Sequence, residues 1–233
     1  MPPKPREILE RGTIEVRGRL PWSSNATFLV LACLDGTTCE AVYKPLRGER
    51  PLWDFPPRLY RREVAAYELS EALGWGIVPL TIEIDDGPLG EGSLQLFIDA
   101  DFEQHYFTMY EDPSLHDQLR TICAFDLVAN NTDRKSGHCL IDRNRRIWAI
   151  DNGLSFHREL KLRTVIWEFG GEPLPSSIIS DLARLLDDGL PEALTALLDP
   201  AEREALLART AALVQAGRFP TDPTGSRYPW PLV

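Results

Sequence analysis

Four short stretches of this chain carry side chains whose types and spacing suit chemistry on phosphate groups. Lys44 closes an alternating run, Cys39-Glu-Ala-Val-Tyr-Lys44, and Glu63 stands 19 residues further on, near the start of the next helical segment. A lysine at that place can be a cation aimed at nucleotide phosphates and braced by a helix glutamate; it can also simply project into water. Glu68 and Glu71 share the segment and are alternative partners. The third stretch, Asn131-Thr-Asp-Arg134, falls between a helix and a hairpin. In a connecting loop, Asp133 can accept a hydrogen bond from a hydroxyl nucleophile and orient it. Arg134 can hold the loop by pairing with a carboxylate or neutralise charge on a transferred group. Asn and Asp in such a stretch also form ordinary turns by bonding their own backbone. The fourth, Asp151-Asn-Gly153, ends the hairpin, which folds Asp151 back beside Asp133 although 18 residues separate them. Two carboxylates so presented make a site for Mg²⁺, or Mn²⁺, bridging phosphate oxygens. The glycine permits the backbone turn that follows. Each stretch alone is commonplace. Their conjunction implies ATP bound through a metal and phosphoryl transfer, in which positioning and electrostatics supply most of the catalysis.

The elements that must position these residues follow from hydrophobic periodicity. Residues 12–44 read as strands: Thr13–Leu20, the continuous apolar run Thr27–Leu34, and Cys39–Lys44, the last two joined by the hairpin signal Asp35-Gly36. Pro45 stops the third strand, and a loop rich in Pro, Gly and Trp runs to Pro57. A helix is expected over Arg61–Leu73 with Gly74 as its stop, then an antiparallel pair at Thr81–Ile84 and Ser93–Ile98. Ser114 can cap a helix over Leu115–Val128. A tight hairpin follows, His138–Ile141 and Ile147–Ile150, and then helices at 176–188, 190–198 and 200–216. This is an α+β plan of two lobes, a β-rich one over 1–100 with one helix and a mostly helical one over 101–233, with a cleft between them as the natural ligand site.

The bulk numbers fit that plan. With 233 residues, 43% hydrophobic and 26% charged, the chain can bury a core without disulfide staples. A net charge of −10 argues against broad contact with nucleic acid, which is dominated by phosphate neutralisation. The cluster Arg58–Arg62 is either a basic patch or a solvated helix start. None of the four cysteines forms a Cys-x-x-Cys pair, as expected of buried free thiols in a reducing cytosol. No run approaches the ~20 apolar residues of a membrane span, and the N-terminus has no apolar signal region, so a cytoplasmic protein is expected.

Taken together, these motifs resemble the kinase superfamily, and in particular its atypical branch of phosphatidylinositol 3-/4-kinases, HipA-like kinases and secretory-pathway kinases. Asn131–Arg134 is similar to the Asp-Arg-centred catalytic loop of those families, Asp151-Asn-Gly153 to their Asp-Phe-Gly, and Val42-Tyr-Lys44 to the kinase strand signature. Ala41–Pro56 is similar to a bacterial family described as phosphatidylinositol-kinase-like, and the resemblance spans residues ~10 to ~215. It implies the two-lobed fold and the ATP site, and leaves the acceptor open. Two departures stand out. His138 occupies the place, five after Asp133, where kinases carry a metal-binding Asn, so it either binds a metal, bonds to phosphate or serves structure. A Gly-rich phosphate loop is missing; Ser23-Ser24-Asn25 sits in the first hairpin turn and can offer hydroxyls and N–H groups to phosphates, or can be an ordinary turn. By analogy, Phe97-Ile98 is the lobe connection whose backbone meets adenine.

Three activities remain in play: an ATP- and metal-dependent phosphotransferase, a nucleotide-binding regulator without transfer, and an AMP transferase holding ATP in reverse. The acceptor of the first is a protein hydroxyl or a small molecule in preference to a lipid, since the chain is short and acidic.

Overall fold

The computed structural model describes residues 2–21 and 25–232. Its first element, α1 (Pro5–Arg11), was not among the expected ones because only Ile8 and Leu9 are buried in it. Pro5 opens the helix and the Glu7 carboxylate accepts the Lys4 amide at 3.0 Å, satisfying one otherwise orphaned donor. Strands β1 (Thr13–Arg19), β2 (Phe28–Leu34), β3 (Thr37–Pro45), β4 (Thr81–Gly87) and β5 (Gly90–Leu96) form one antiparallel sheet in the order β1-β2-β3-β5-β4.

Alternation along these strands decides what each face does. Val30, Ala32, Ala41, Tyr43, Ile82 and Leu94 bury one face with Ile8 and Leu9 of α1. The intervening residues Leu29, Val42, Lys44 and Gln95 turn to the other side and wall the cleft. β2 therefore turns apolar residues both to the core and to the cleft, which accounts for its continuous apolar run. Pro45 still pairs with Gly92, so β3 runs one residue beyond Lys44.

Helix α2 (Tyr60–Ala72) places Ala65, Ala66, Leu69 and the following Leu73 in the larger core, which is otherwise built from the second half of the chain. Its basic start is not a solvated face. Arg62 is buried and ion-paired with Glu202, and Arg61 pairs with Glu83 at 3.1 Å. After β5 the chain crosses to α3 (Tyr106–Tyr110) and α4 (His116–Ala129), the latter ended by Asn130 in the left-handed region at φ 55°. Ser114 does not cap α4. It lies in a 3₁₀ turn over Pro113–Leu115, capped by the Asp112 carboxylate.

The hairpin β6 (Cys139–Ile141) and β7 (Ile147–Ala149) follows, then α5 (Ser176–Asp188), α6 (Glu192–Thr195) and α7 (Pro200–Ala216). The expected helix over 190–198 shrinks to α6 because Pro200 holds Asp199 extended, and Asp199 caps α7 by accepting the Glu202 amide at 2.8 Å. All four cysteines are free. No helix among the described residues is long and apolar enough to cross a membrane.

The Arg62–Glu202 pair fastens α2 to α7, with Arg62 also donating to the Ser155 carbonyl. Arg62→Met strands Glu202 in the interior, and breaking a buried pair in this way costs about 3–5 kcal/mol. Chemical denaturation measures the difference; a loss below about 1 kcal/mol would mean that the pair does not hold the helix.

Candidate functional site

Lys44, Glu63 and Asp151 meet at the junction of the two lobes. The Lys44 ammonium donates to the Glu63 carboxylate and, at 2.9 Å, to Oδ1 of Asp151. Glu63, not Glu68 or Glu71, is therefore the partner of the strand lysine. Glu63 is almost wholly buried, and its second oxygen accepts the backbone amide of Asn152 at 2.9 Å. One carboxylate thus links β3, α2 and the segment after β7. Burial works against the Lys44 ammonium, but Asp151 and Glu63 outweigh it and hold its pKa above the ordinary lysine value. Lys44 in turn holds Asp151 well below the usual carboxylate range. Both groups are charged at neutral pH.

The local backbone explains Asp-Asn-Gly. Asp151 itself takes the left-handed conformation, at φ 57°, and so makes the turn that the sequence assigned to the glycine. Gly153 serves close packing instead: a Cβ there would crowd the Glu63 carboxylate at 3.2 Å. Asn152 is buried. It donates to the Ala149 carbonyl at 3.1 Å and accepts from Arg134 at 2.6 Å.

Of the two roles open to Arg134, its contacts fit the first, holding the loop by pairing with a carboxylate, and not the second. Its guanidinium is fully buried, donating to both oxygens of Asp126 on α4 at 3.0–3.1 Å, to the Ile150 carbonyl and to Asn152. It holds the loop and has no face on the cleft, so it is not positioned to neutralise a transferred group. Asp126 escaped notice in the sequence, although an acid within the apolar run Phe125-Asp-Leu-Val128 is a signal for a buried pair. The cation paired with Asp133 is Lys135, whose Nζ lies 3.1 Å from Oδ2 of Asp133. Asn131 makes the expected turn, accepting the Asp133 amide at 2.9 Å, and leaves the Asp133 carboxylate turned outward. Burial pushes Asp133 above the ordinary carboxylate range, with Lys135 partly offsetting it.

His138 sits against Asp151, Nε2 to Oδ2 at 3.3 Å, while its Nδ1 accepts the Lys135 amide at 3.4 Å. A ring that accepts at Nδ1 carries its proton on Nε2, and that proton points at the carboxylate. Of the roles open to His138, this geometry favours orienting Asp151 over ligating a metal, because the nitrogen facing the site is a donor. Of the loop thought to meet phosphates, Ser23 and Ser24 lie outside the described residues. Asn25 lines the cleft beside Lys44 and accepts the Arg50 amide at 3.0 Å.

Two cavities adjoin at Lys44 and Asp151. The polar one, about 270 Å³, contains Asn25, Lys44, Glu63, Asp133 and Asp151. The apolar one, about 480 Å³, is walled by Leu29, Val42, Phe97, Ile98, Leu140 and Ile150. Phe97 and Ile98 follow β5 on the way to α3 and line this cavity. The Phe97 amide, however, already donates to the Glu40 carbonyl at 3.0 Å, so it is not the group left over for a base edge. Among the described residues, no three His, Cys, Asp or Glu side chains converge as a metal cluster.

Burial lowers the His138 pKa to about 4 against the pull of Asp151. The unfolded chain then takes up this proton near pH 6.5, so His138 withdraws stability as pH falls from there toward 4. In the metal- and nucleotide-free protein, NMR of the His138 ring, assigned with His138→Gln, is expected to show a neutral Nε2–H tautomer from pH 8 to pH 5. A midpoint at the ordinary histidine value would contradict this account.

No protein-family model matches the chain. In three dimensions it is similar to the structure of hydra Fam20 with sugar, with a TM-score of 0.55 at 14% identity over 90% of this chain and 86% of that one. It is also similar, with a TM-score of 0.49 at 13% identity over 89% of this chain and 93% of that one, to the Helicobacter pylori proinflammatory kinase CtkA. The first likeness carries the fold assignment, a kinase-like fold of a β-sheet lobe and a helical lobe; it does not extend to substrate. In sequence, the chain is 37% identical over 262 residues to Protein Rv2133c of Mycobacterium tuberculosis, an alignment spanning 96% of this chain and 94% of that protein. On that identity and coverage, the chain belongs to the family of Protein Rv2133c.

Proposed function

We propose that this protein is an ATP- and Mg²⁺-dependent phosphotransferase acting on a hydroxyl of a small molecule or a protein. The observation that carries the proposal is Lys44, paired with both Glu63 and Asp151 on the floor of a cleft that Asp133 also faces. The apolar cavity beyond Lys44 is of the size and character that suit a nucleobase. The adjoining polar cavity suits its phosphates.

The donor set fits the metal. Asp151 and Asp133 turn hard carboxylate oxygens toward the polar cavity. Mg²⁺ is held by one or two such groups, with phosphates and water completing its shell. Asp151 is the principal candidate to hold it, oriented by Lys44 and His138. When bound, the ion would be held by Asp151 and would offset the negative charge of the phosphates. The remaining roles belong to the chain. Lys44 meets phosphate oxygens, and Glu63 fixes its position. Asp133 accepts the acceptor's hydroxyl proton as that oxygen bonds to the γ-phosphorus. The bond to the bridging oxygen breaks, ADP leaves with the electron pair, and the proton passes from Asp133 to solvent. Lys135 takes the charge-neutralising role first considered for Arg134.

The sequence likeness of Ala41–Pro56 to phosphatidylinositol-kinase-like proteins is read as kinship of fold, and lipid is the least favoured acceptor. Four free thiols and an acidic chain favour a reducing cytoplasm as the place of action.

Incubation with γ- and with α-labelled ATP separates the possible activities. Label arriving from the γ position supports the proposal, label from α an AMP transferase, and neither a nucleotide-binding regulator, the reading that His138 in place of an asparagine favours. Asp133→Asn is expected to bind nucleotide like the parent and to lose at least about a hundredfold in transfer. A variant that transfers at the parental rate would remove Asp133 from the mechanism.

A further inference from the structure

Another groove, about 390 Å³, opens beside the 131–134 loop, at Thr132. One wall is Thr132, the residue before Asp133; the opposite wall is the segment 160–163, and Arg227 from the C-terminal stretch closes an end. The backbone ties this groove to the candidate site. The Arg163 amide donates to the Asn131 carbonyl at 2.9 Å, and the Arg134 amide donates to the Arg163 carbonyl at 3.1 Å. Arg163 therefore straddles the two residues that flank Asp133 from 131 and 134. On its other side, Arg227 accepts the Thr164 amide at 3.1 Å through its carbonyl.

The charge of the groove is opposite to that of the protein. Lys161, Arg163 and Arg227 line it against a single carboxylate, Asp54, in a chain of net charge −10. Asp54 is already engaged with Lys161 at 2.8 Å. The guanidiniums of Arg163 and Arg227 are exposed and make no ion pair or hydrogen bond with any described residue. The nearest acid acting on Arg227, Asp222, is occupied by the Arg227 amide at 2.8 Å and by Thr224. Trp53, 95% exposed, stands at the mouth with its ring 5.3 Å from the Lys161 ammonium. Two exposed guanidiniums in one groove, with an aromatic ring at its mouth beside Lys161, suit a compact anion with some carbon skeleton.

We infer that this groove is the acceptor site, and that it takes a small hydroxyl compound bearing a phosphate or carboxylate, whose anion is held by Arg163 and Arg227. The volume lies in the roughly 300–1,000 Å³ range of small-molecule sites, which favours a metabolite over an extended peptide. Its assignment as acceptor site rests on the phosphotransferase reading; its preference for anions does not.

Calorimetric titration of the full chain with glycerol 3-phosphate, glycerate and neutral glycerol tests the anion preference without nucleotide. Both anions are expected to bind and glycerol to give no heat. Arg163→Gln and Arg227→Gln are each expected to weaken the anions about tenfold, with unchanged thermal unfolding and unchanged Mg-ATP binding. Equal binding of glycerol, no heat from either anion, or an undiminished affinity in the double variant would overturn the inference, as would binding of an acidic peptide alone. Anion binding without any γ-label transfer would leave the groove standing and remove the phosphotransferase reading. Transfer to an uncharged acceptor would do the reverse.

Discussion

The carboxylate of Glu63 is the constraint on which the rest of the site depends. It is buried, so it must be paired, and it is paired twice, with the Lys44 ammonium and with the Asn152 amide. Those two partners come from different lobes. The sheet supplies Lys44, the segment after β7 supplies Asn152, and α2, packed into the helical core, carries the glutamate between them. Gly153 lets the backbone approach close enough for this to happen. The relative placement of Lys44 and Asp151 is thereby a consequence of one desolvated anion.

A second buried anion, Asp126, organises the other half of the site. Its bidentate partner Arg134 reaches on to the Ile150 carbonyl and to Asn152, so the loop bearing Asp133 and the strand end bearing Asp151 hang from a common guanidinium. The planar fork of arginine is what allows one side chain to join a helix, a loop and a strand end at once. Asn152 belongs to both networks, accepting from Arg134 through its side chain and donating to Glu63 through its backbone. Lys44, Asp133 and Asp151 can then sit at a cleft surface with their directions set from behind.

Much of this was legible in the sequence, and what was not has identifiable causes. The strand–loop–helix spacing of Lys44 and Glu63 and the hairpin between Asp133 and Asp151 survive translation into three dimensions because period-two alternation and a tight turn are local properties. For Arg134 the sequence left two roles open, loop brace and charge neutraliser, and the role of Lys135 was not legible. Two adjacent cations look alike in a string, and only the position of Asp126 one helix earlier decides which turns inward. Helix α1 was missed because two buried residues make no period. The burial of Arg62 was missed because its partner Glu202 lies 140 residues away. The loop before α2 divides in a way its composition does not show: Phe55 is buried and Trp53 is exposed.

The central claim is that Asp151, set between Lys44 and His138, makes nucleotide binding depend on a metal. Titrating ATP into the protein by calorimetry, with Mg²⁺ and again with the ion chelated, tests it most directly when repeated on Asp151→Asn. Strong binding only with Mg²⁺, lost in the variant while the thermal unfolding profile is kept, is the predicted result. Equal ATP affinity in the parent and in Asp151→Asn, or equal affinity with and without Mg²⁺, would contradict it.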